Sequence, residues 1–484
     1  MLNESVVLPL WVYLLLFLAA AYAALVSLLL PGFRWFMRRR HDASMERLNS
    51  SLSIKIKPFQ QTSRQVLINR LVDDPELVAL VENMAGSDAI LRGKLMRDVQ
   101  QYAREIVPSF NAYVYYKIGY WLCRRISRFI YRVRVAAADR GMLESLDRDS
   151  TIVFVINHRS NMDYVLTSYL AADRVILSFA VGEWARVFPL EPIFRGMGAY
   201  FVRRGAQPPL YHRVLGRYIH MATQSGVCQA MFPEGGLSRD GKLARPRVGL
   251  LDHMLRNYDY RTDRNITFIP VGINYDRVIE DKNLVYGQAH SGLRGHWHTA
   301  RQVVRFFRHN AFSGLRRRWY RYGYAGVNFG IPFDMRTYCE QHQLVFKDLP
   351  QRDRIPAIMT LAADLMDAVG RVIPVLPVSV IATAFVEAQD APLRSLDIVA
   401  ACDRLIEEVQ QGGAAMRAEQ KPRSKTLAAA LDNLCRREIL LVENDCYRVN
   451  PAHRDLLAYY ANSISHWRTR GGTTSAARLP VSNG

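Results

Sequence analysis

The stretch Thr151-Ile-Val-Phe-Val-Ile156-Asn157-His158-Arg-Ser-Asn-Met-Asp163 decides the fold of this chain. Its first six residues are β-branched or aromatic, which predicts a buried strand that delivers the next residues to a sheet edge. His158 and Asp163 would lie about 140° apart on a regular helix, so they meet only across a strand-to-helix turn. Asp163, in the first helical turn, would then orient the imidazole as a general base requires. The competing interpretation is an ordinary histidine near a surface aspartate.

Short apolar runs alternate with helical periodicity from about residue 140 to residue 335. The predicted strands are residues 151–156, 175–181, 199–202, 227–232, 266–273 and 326–329, and the predicted helices include residues 164–172, 210–224 and 248–256. This alternation predicts an α/β fold with a mainly parallel central sheet flanked by helices. Ligands bind such sheets at the carboxyl ends of the strands, and His158 follows one of these ends.

Polar groups also follow three other predicted strands. Arg203 and Arg204 end the run Gly198-Ala-Tyr-Phe-Val-Arg-Arg and suit bidentate phosphate contacts. The segment Phe232-Pro-Glu-Gly-Gly-Leu-Ser-Arg-Asp-Gly-Lys242 offers flexible backbone amides and two cations, with these candidate binding residues: Glu234, Gly235, Gly236, Ser238, Arg239 and Lys242. It lacks the Gly-Lys-Ser/Thr run of a nucleotide P-loop. Pro270 closes a fourth strand, where we expect it to fix the rim of the site.

The charge of the chain indicates anionic partners. The net charge is +20, and residues 106–138 and 282–333 contain clustered cations and aromatic residues without intervening acids. Such surfaces bind anionic lipids, nucleic acid or anionic substrates. The hydrophobic content of 49% excludes general disorder. The six cysteines show no metal-ligand spacing, so we predict no metal site and a reducing compartment.

Residues 6–30 are uncharged and long enough to cross a bilayer. Cations follow this segment, and a single acid precedes it, which fits a cleaved signal peptide poorly. We therefore predict an N-terminal transmembrane helix in the inner (cytoplasmic) membrane, with a single pass and the catalytic domain facing the cytoplasm. The alternative is a buried core helix. Membrane anchorage favours phospholipids over nucleic acid as the partner of the basic surfaces.

The remaining regions are predicted to be mostly helical. Residues 45–139 are predicted to form a helical membrane-proximal region, and the pattern of residues 113–135 predicts an interfacial or docking helix within it. Residues 140–335 form the α/β domain, and residues 345–466 an α-helical C-terminal domain with a short hairpin near residues 441–449. Helices followed by a hairpin also occur in winged-helix modules, which leaves DNA binding as an alternative. Residues 467–484 are predicted to be a disordered tail.

The four strand-end blocks together resemble the glycerolipid acyltransferase family in order and spacing. Further segments resemble the large bacterial membrane-bound glycerol-3-phosphate acyltransferases, namely Tyr102-Ala-Arg-Glu-Ile-Val-Pro-Ser-Phe-Asn111, Gly326-Val-Asn-Phe-Gly-Ile-Pro332 and Ala458-Tyr-Tyr-Ala-Asn-Ser-Ile-Ser-His466. The resemblance implies the glycerolipid acyltransferase fold and covers residues 100–466. The resemblance also implies that the predicted transmembrane helix takes the place of the long N-terminal region that these enzymes carry.

The resemblance implies that His158 is the general base and that Asp163 orients it. His158 would deprotonate the sn-1 hydroxyl of glycerol-3-phosphate as that oxygen attacks an acyl thioester on CoA or acyl carrier protein. Arg204, with Arg203, would hold the acceptor phosphate, and the 234–242 loop and Pro270 would shape the pocket. No cofactor, metal or covalent acyl-enzyme is implied; the acyl donor is a co-substrate.

One residue departs from the family pattern. Leu237 stands where the large enzymes usually carry an arginine, so the acceptor is less well determined than the chemistry. Lysophosphatidate, another lysolipid or dihydroxyacetone phosphate remains an alternative acceptor in phospholipid biosynthesis. A non-catalytic lipid-binding membrane protein that keeps the fold is the alternative of another class. The sequence leaves acyl-chain length, donor and oligomeric state open.

Overall fold

Parallel strands form the centre of the chain in the computed structural model. The structure describes residues 56–135, 146–147, 149–171, 175–182, 185–186, 190–203, 205, 207–287, 322–389, 391–414 and 424–470, together with residues 9, 13, 17 and 20. The strands of the central sheet are β1 (Arg132–Val135), β2 (Thr151–Ile156), β3 (Ser178–Gly182), β4 (Tyr200–Val202), β5 (Gln229–Met231), β6 (Ile266–Tyr275), β7 (Tyr324–Phe329) and β8 (Phe333–Asp334).

The strand order is β1-β7-β6-β2-β5-β3-β4, and β8 pairs with β6. Strands β2 to β6 run parallel to one another, whereas β7 and β8 are antiparallel to β6. The register of β2 on β6 runs from Thr151 opposite Ile266 to Ile156 opposite Val271. This arrangement confirms the predicted α/β fold with a mainly parallel sheet.

Helices cover both faces of this sheet. They are α1 (Pro58–Gln61), α2 (Arg64–Val72), α3 (Pro75–Ala85), α4 (Ala89–Ile106), α5 (Trp121–Ile130), α6 (Met162–Ala171), α7 (Leu190–Gly196), α8 (Pro209–Gln224), α9 (Gly249–Leu255), α10 (Asp281–Tyr286), α11 (Met335–His342), α12 (Gln351–Gly370), α13 (Pro377–Glu387), α14 (Ser395–Gln411), α15 (Ser424–Arg436), α16 (Arg454–Asn462) and α17 (Ser465–Arg470). A π-helix, Val114–Tyr120, precedes α5.

The buried side chains of β2 alternate between two helical layers, as the two-residue period of a strand requires. Ile152, Phe154 and Ile156 pack in the layer that contains α5, α6 and the C-terminal helices α13 to α16. Val153 and Val155 pack in the opposite layer, which contains α2 to α4, α8, α9 and α12. The C-terminal helices therefore share a hydrophobic core with the α/β domain.

Several predicted boundaries need correction. Residues 132–135 form strand β1, which pairs with β7, although the sequence predicted helix through residue 135. The alternation Arg-Val-Arg-Val has the period of a strand, so the sheet begins before the predicted boundary at residue 140. The predicted tail begins too early, because α17 extends to Arg470 and Trp467 is only 2% exposed.

The C-terminal region is mainly helical, as predicted. The predicted hairpin is confirmed as β10 (Leu440–Glu443) paired with β11 (Cys446–Val449), and β9 (Leu393–Arg394) adds a third short strand. Within the ranges given above, no helix has both the length and the apolar character needed to cross a membrane. The predicted membrane segment, residues 6–30, lies outside the described residues except for isolated positions.

Candidate active site

The predicted pair meets at the carboxyl end of β2. His158 follows the strand after one residue, and Asp163 lies in the first turn of α6. The Nδ1 atom of His158 is 2.9 Å from Oδ2 of Asp163. His158 is 2% exposed and Asp163 is fully buried, so the interpretation as a surface aspartate is wrong.

The carboxylate fixes the tautomer of the imidazole. A carboxylate only accepts hydrogen bonds, so Nδ1 of His158 carries the proton and Nε2 presents a lone pair. Phe232 stacks on the imidazole with ring centroids 4.2 Å apart, and Tyr164 contacts it edge-on at 5.5 Å. The Nε2 atom is buried and has no hydrogen-bond partner among the described residues. A neutral imidazole in this tautomer can accept a proton at Nε2.

Four donors hold the carboxylate of Asp163 in place. Besides His158, the backbone N–H groups of Arg159 and Ser160 donate to Oδ2 at 2.7 Å and 3.0 Å. The hydroxyl group of Tyr275, at the end of β6, donates to Oδ1 at 2.7 Å. Both carboxylate oxygens are therefore engaged, which prevents rotation of the side chain.

The loop after β5 is attached to the backbone of His158. Oε1 of Glu234 accepts the N–H of His158 at 2.8 Å, and Oε2 accepts the N–H of Ala244 at 3.0 Å. The N–H of Ser238 donates to the carbonyl oxygen of His158 at 3.0 Å. Burial raises the pKa of Glu234, and the charge of Arg159 opposes that rise. Glu234 thus fixes the loop rather than facing solvent.

The other predicted loop residues lie around this attachment. Gly235 has a φ of +66°, and a Cβ atom there would lie 2.6 Å from Cδ of Arg247. Gly236 is half-buried, and Arg239 and Lys242 are exposed on the same loop. The structure thus brings His158, Asp163 and the 234–242 loop together.

Two other predicted residues lie elsewhere. Pro270 is in the middle of β6, opposite Val155, and does not close the strand as expected. Its carbonyl oxygen accepts the N–H of Gly330 at 2.8 Å, one residue beyond the end of β7, but proline has no N–H to donate in return. Arg203 is bonded to Glu105 of α4 through Nε at 2.8 Å and Nη2 at 2.6 Å. Arg204 lies outside the described residues.

Glu105 neutralises a cluster of arginines at the end of β4. It is ion-paired with both Arg203 and Arg186, and these two guanidiniums lower its pKa against the effect of burial. The guanidinium of Arg203 also lies 5.3 Å from the rings of Tyr102 and Tyr211. Arg203 thereby joins α4 and α8 to β4.

Sequence reasoning missed several residues that shape the site. Arg159, Tyr275 and Asn157 are buried around the pair, and Glu280 is half-buried beside it. Glu280 accepts hydrogen bonds from Oγ of Ser160 at 2.7 Å and from Asn161, and burial raises its pKa. Tyr275 and Glu280 follow the carboxyl end of β6, so the rule used for the other strands could have found them. Among the residues with described positions, no cluster of three metal-ligating side chains occurs.

Comparisons with known proteins identify related families. Residues 140–274 match the acyltransferase family, and residues 310–477 match the glycerol-3-phosphate acyltransferase C-terminal region. The glycerol-3-phosphate acyltransferase of Aeromonas hydrophila is 27% identical over 72% of this chain and 43% of its own length. That of Actinobacillus pleuropneumoniae serotype 3 is 28% identical over 62% of this chain and 35% of its own length. That of Pseudoalteromonas atlantica is 26% identical over 85% of this chain and 51% of its own length.

The solved structure of the 1-acyl-sn-glycerophosphate acyltransferase of Thermotoga maritima aligns with 63% of this chain and with 97% of its own chain. The sequence identity is 16% and the TM-score is 0.31. The matched segments include an acyltransferase domain and confirm the predicted resemblance to the glycerolipid acyltransferase family. Within that family, the matched curated relatives are bacterial glycerol-3-phosphate acyltransferases, and the chain spans about half or less of their length.

Proposed function

We propose that this protein transfers a fatty acyl group from acyl-CoA or acyl carrier protein to the sn-1 hydroxyl of glycerol-3-phosphate. The observation that carries this proposal is the buried His158–Asp163 pair, in which Nδ1 is bonded to the carboxylate and Nε2 has no hydrogen-bond partner among the described residues. The glycerol-3-phosphate acyltransferase relatives supply the substrate class. The site residues require no metal or cofactor for this reaction.

The reaction follows from the tautomer of His158. Its Nε2 atom accepts the proton of the hydroxyl group while that oxygen bonds to the thioester carbonyl carbon. The imidazolium that forms is stabilised by the carboxylate of Asp163 through Nδ1–H. Collapse of the tetrahedral intermediate breaks the carbon–sulfur bond, and the leaving thiolate takes the proton from Nε2. The products are an ester and a free thiol, and the enzyme returns to its starting state.

The acceptor phosphate would bind cations beside the 234–242 loop. Arg239 and Lys242 are exposed there, and Arg204 retains its predicted role. Arg203 has two of its donor groups engaged by Glu105, which leaves less of its guanidinium for phosphate. Leu237 is half-buried in the same loop and adds apolar surface, so lysophosphatidate is the second candidate acceptor. We also propose that catalysis occurs at the cytoplasmic face of a membrane, on the strength of the uncharged residues 6–30.

An acyl-transfer assay tests this function. Purified full-length protein in lipid vesicles is offered glycerol-3-phosphate and lysophosphatidate in parallel, each with acyl-CoA and with acyl carrier protein as donor. We expect ester formation on glycerol-3-phosphate, and its loss in His158→Ala but not in the surface control His212→Ala. Transfer to lysophosphatidate alone would reassign the acceptor. Transfer to neither would favour the non-catalytic lipid-binding alternative, and full activity of His158→Ala would refute the general base.

A further inference from the structure

The segment of residues 459–463, at the end of α16, contacts the 234–242 loop directly. The amide nitrogen Nδ2 of Asn462 donates to the carbonyl oxygen of Asp240 at 2.8 Å. Gly241 has a φ of +82° and lies so close to Tyr459 that a Cβ atom would stand 1.9 Å from its carbonyl oxygen. Only glycine fits at position 241, because the opposing atom belongs to the backbone and cannot rotate away.

Arg159 connects this contact to the catalytic pair. Its backbone N–H donates to Asp163, and its side chain is 2% exposed. Nη1 donates to the carbonyl oxygen of Gly241, and Nη2 lies 3.5 Å from the carbonyl oxygen of Ser463. A buried guanidinium is tolerated only when it is hydrogen-bonded, so its position depends on both carbonyl groups.

The 459–463 segment is itself fixed to the sheet and to α13. The hydroxyl oxygen of Ser463 lies 2.8 Å from that of Ser379 in α13. Nδ2 of Asn274 in β6 lies 3.3 Å from the same Ser463 oxygen and donates to the carbonyl oxygen of Pro374 at 2.9 Å. All three side chains are buried. The segment therefore has a rigid support on the side opposite the loop.

We propose that Arg159 is a positioning residue and that the C-terminal region completes the acceptor site by clamping the 234–242 loop. Through Arg159, Gly241 and Asn462, the C-terminal region sets where Arg239 and Lys242 stand relative to His158. The clamp explains why an acyltransferase domain with its own catalytic pair is followed by a helical region in the same core. The inference rests on the proposed function for its kinetic effect but not for its structural effect.

Three variants of the full chain test the clamp. Gly241→Ala forces the loop away from Tyr459. Arg159→Lys keeps the positive charge but loses the planar guanidinium that contacts two carbonyl oxygens. Asn462→Ala removes the hydrogen bond to the carbonyl oxygen of Asp240. Gly249→Ala, where a Cβ atom meets nothing within 4 Å, and Arg404→Lys, on the surface of α14, are the matched controls. Hydrogen–deuterium exchange of residues 232–247 is measured together with kcat and the KM of each substrate.

We expect exchange in residues 232–247 to accelerate on the order of tenfold in the three variants, with little change in the controls. The KM of the acceptor should rise on the order of tenfold in Gly241→Ala and Asn462→Ala, with a smaller change in the KM of the donor. Arg159→Lys should also lower kcat, because losing the side-chain bonds shifts residue 159 and with it the backbone N–H that donates to Asp163. Wild-type exchange in Asn462→Ala, or an unchanged acceptor KM in an active variant, would overturn the clamp. If exchange accelerates in the variants but the wild-type protein transfers no acyl group, the proposed function is refuted and the clamp is still supported.

Discussion

Replacing Asp163 by asparagine should preserve the orientation of His158 and remove only the charge. Two backbone N–H groups, those of Arg159 and Ser160, point at Oδ2. They require an acceptor there, so the amide oxygen of asparagine takes that position and also accepts Nδ1–H of His158. The amide NH₂ then faces the hydroxyl oxygen of Tyr275, which can accept a hydrogen bond.

The expected loss follows from these contacts. A flipped amide would leave two buried N–H groups unsatisfied at about 1–3 kcal/mol each, which keeps the oxygen at the Oδ2 position. A hydrogen bond to a charged acceptor contributes about 1–2 kcal/mol more than one to a neutral acceptor, or roughly 5–30-fold in rate. Asp163→Ala instead leaves four donors without an acceptor, and should lose the whole general-base contribution of about 10²–10⁴-fold.

Steady-state kcat/KM for the acceptor measures both variants, and thermal unfolding shows whether each remains folded. Tyr275→Phe in the Asp163→Asn background is the internal control. That double variant deprives the amide NH₂ of its acceptor and should be less active than the sum of the single effects indicates. A folded Asp163→Asn variant that is as inactive as Asp163→Ala would refute the reasoning, because it would show that the imidazole had changed tautomer.

Three further predictions concern stability. Gly272→Ala should unfold the protein or destabilise it by several kcal/mol, about the cost of overpacking a core. The reason is that the Cβ atom of the alanine would lie 2.4 Å from the carbonyl oxygen of Val372. Urea unfolding measures the loss of stability. Arg203→Lys should lower the melting temperature, because lysine cannot form the bidentate bond to Glu105. A raised acceptor KM with an unchanged melting temperature would instead indicate that Arg203 binds the acceptor phosphate. Burial raises the pKa of Asp276 from the ordinary range of an aspartate to about 6, so the folded state binds this proton more tightly than the unfolded state does. The unfolding free energy should therefore fall by up to about 3 kcal/mol as pH rises from about 4 to about 6, and Asp276→Asn should lack that component.

The meeting of His158 and Asp163 was predictable because local rules decide it. An apolar run ends at residue 156, and a helix begins at Met162, so a single turn brings the two side chains together. The attachment of the 234–242 loop was predictable for a related reason, since β2 and β5 are neighbouring parallel strands whose carboxyl ends coincide.

The parts that could not be predicted depend on contacts between distant residues. Glu105 meets Arg203 only because α4 packs beside β4, and an Arg-Arg pair looks the same in sequence whether it faces phosphate or a buried carboxylate. Arg159 is charged and stands within the catalytic block, yet its burial depends on Ser463, more than three hundred residues away. Hydropathy assigns such a residue to the surface, so the role of the C-terminal region stayed hidden.

Asn157 joins the site to the sheet in a way that ties activity to the whole fold. Its side-chain amide donates to the carbonyl oxygen of Ile273 at 2.9 Å and accepts the N–H of the same residue at 2.7 Å, one residue beyond the end of β2. The chain turns toward His158 while the ladder with β6 continues through a side chain. Because the paired residues of β2 and β6 are buried, we expect the His158–Asp163 pair to unfold only together with the sheet. Heat inactivation should therefore coincide with global unfolding instead of preceding it, and an inhibitor that binds the pair should raise the melting temperature of the entire protein.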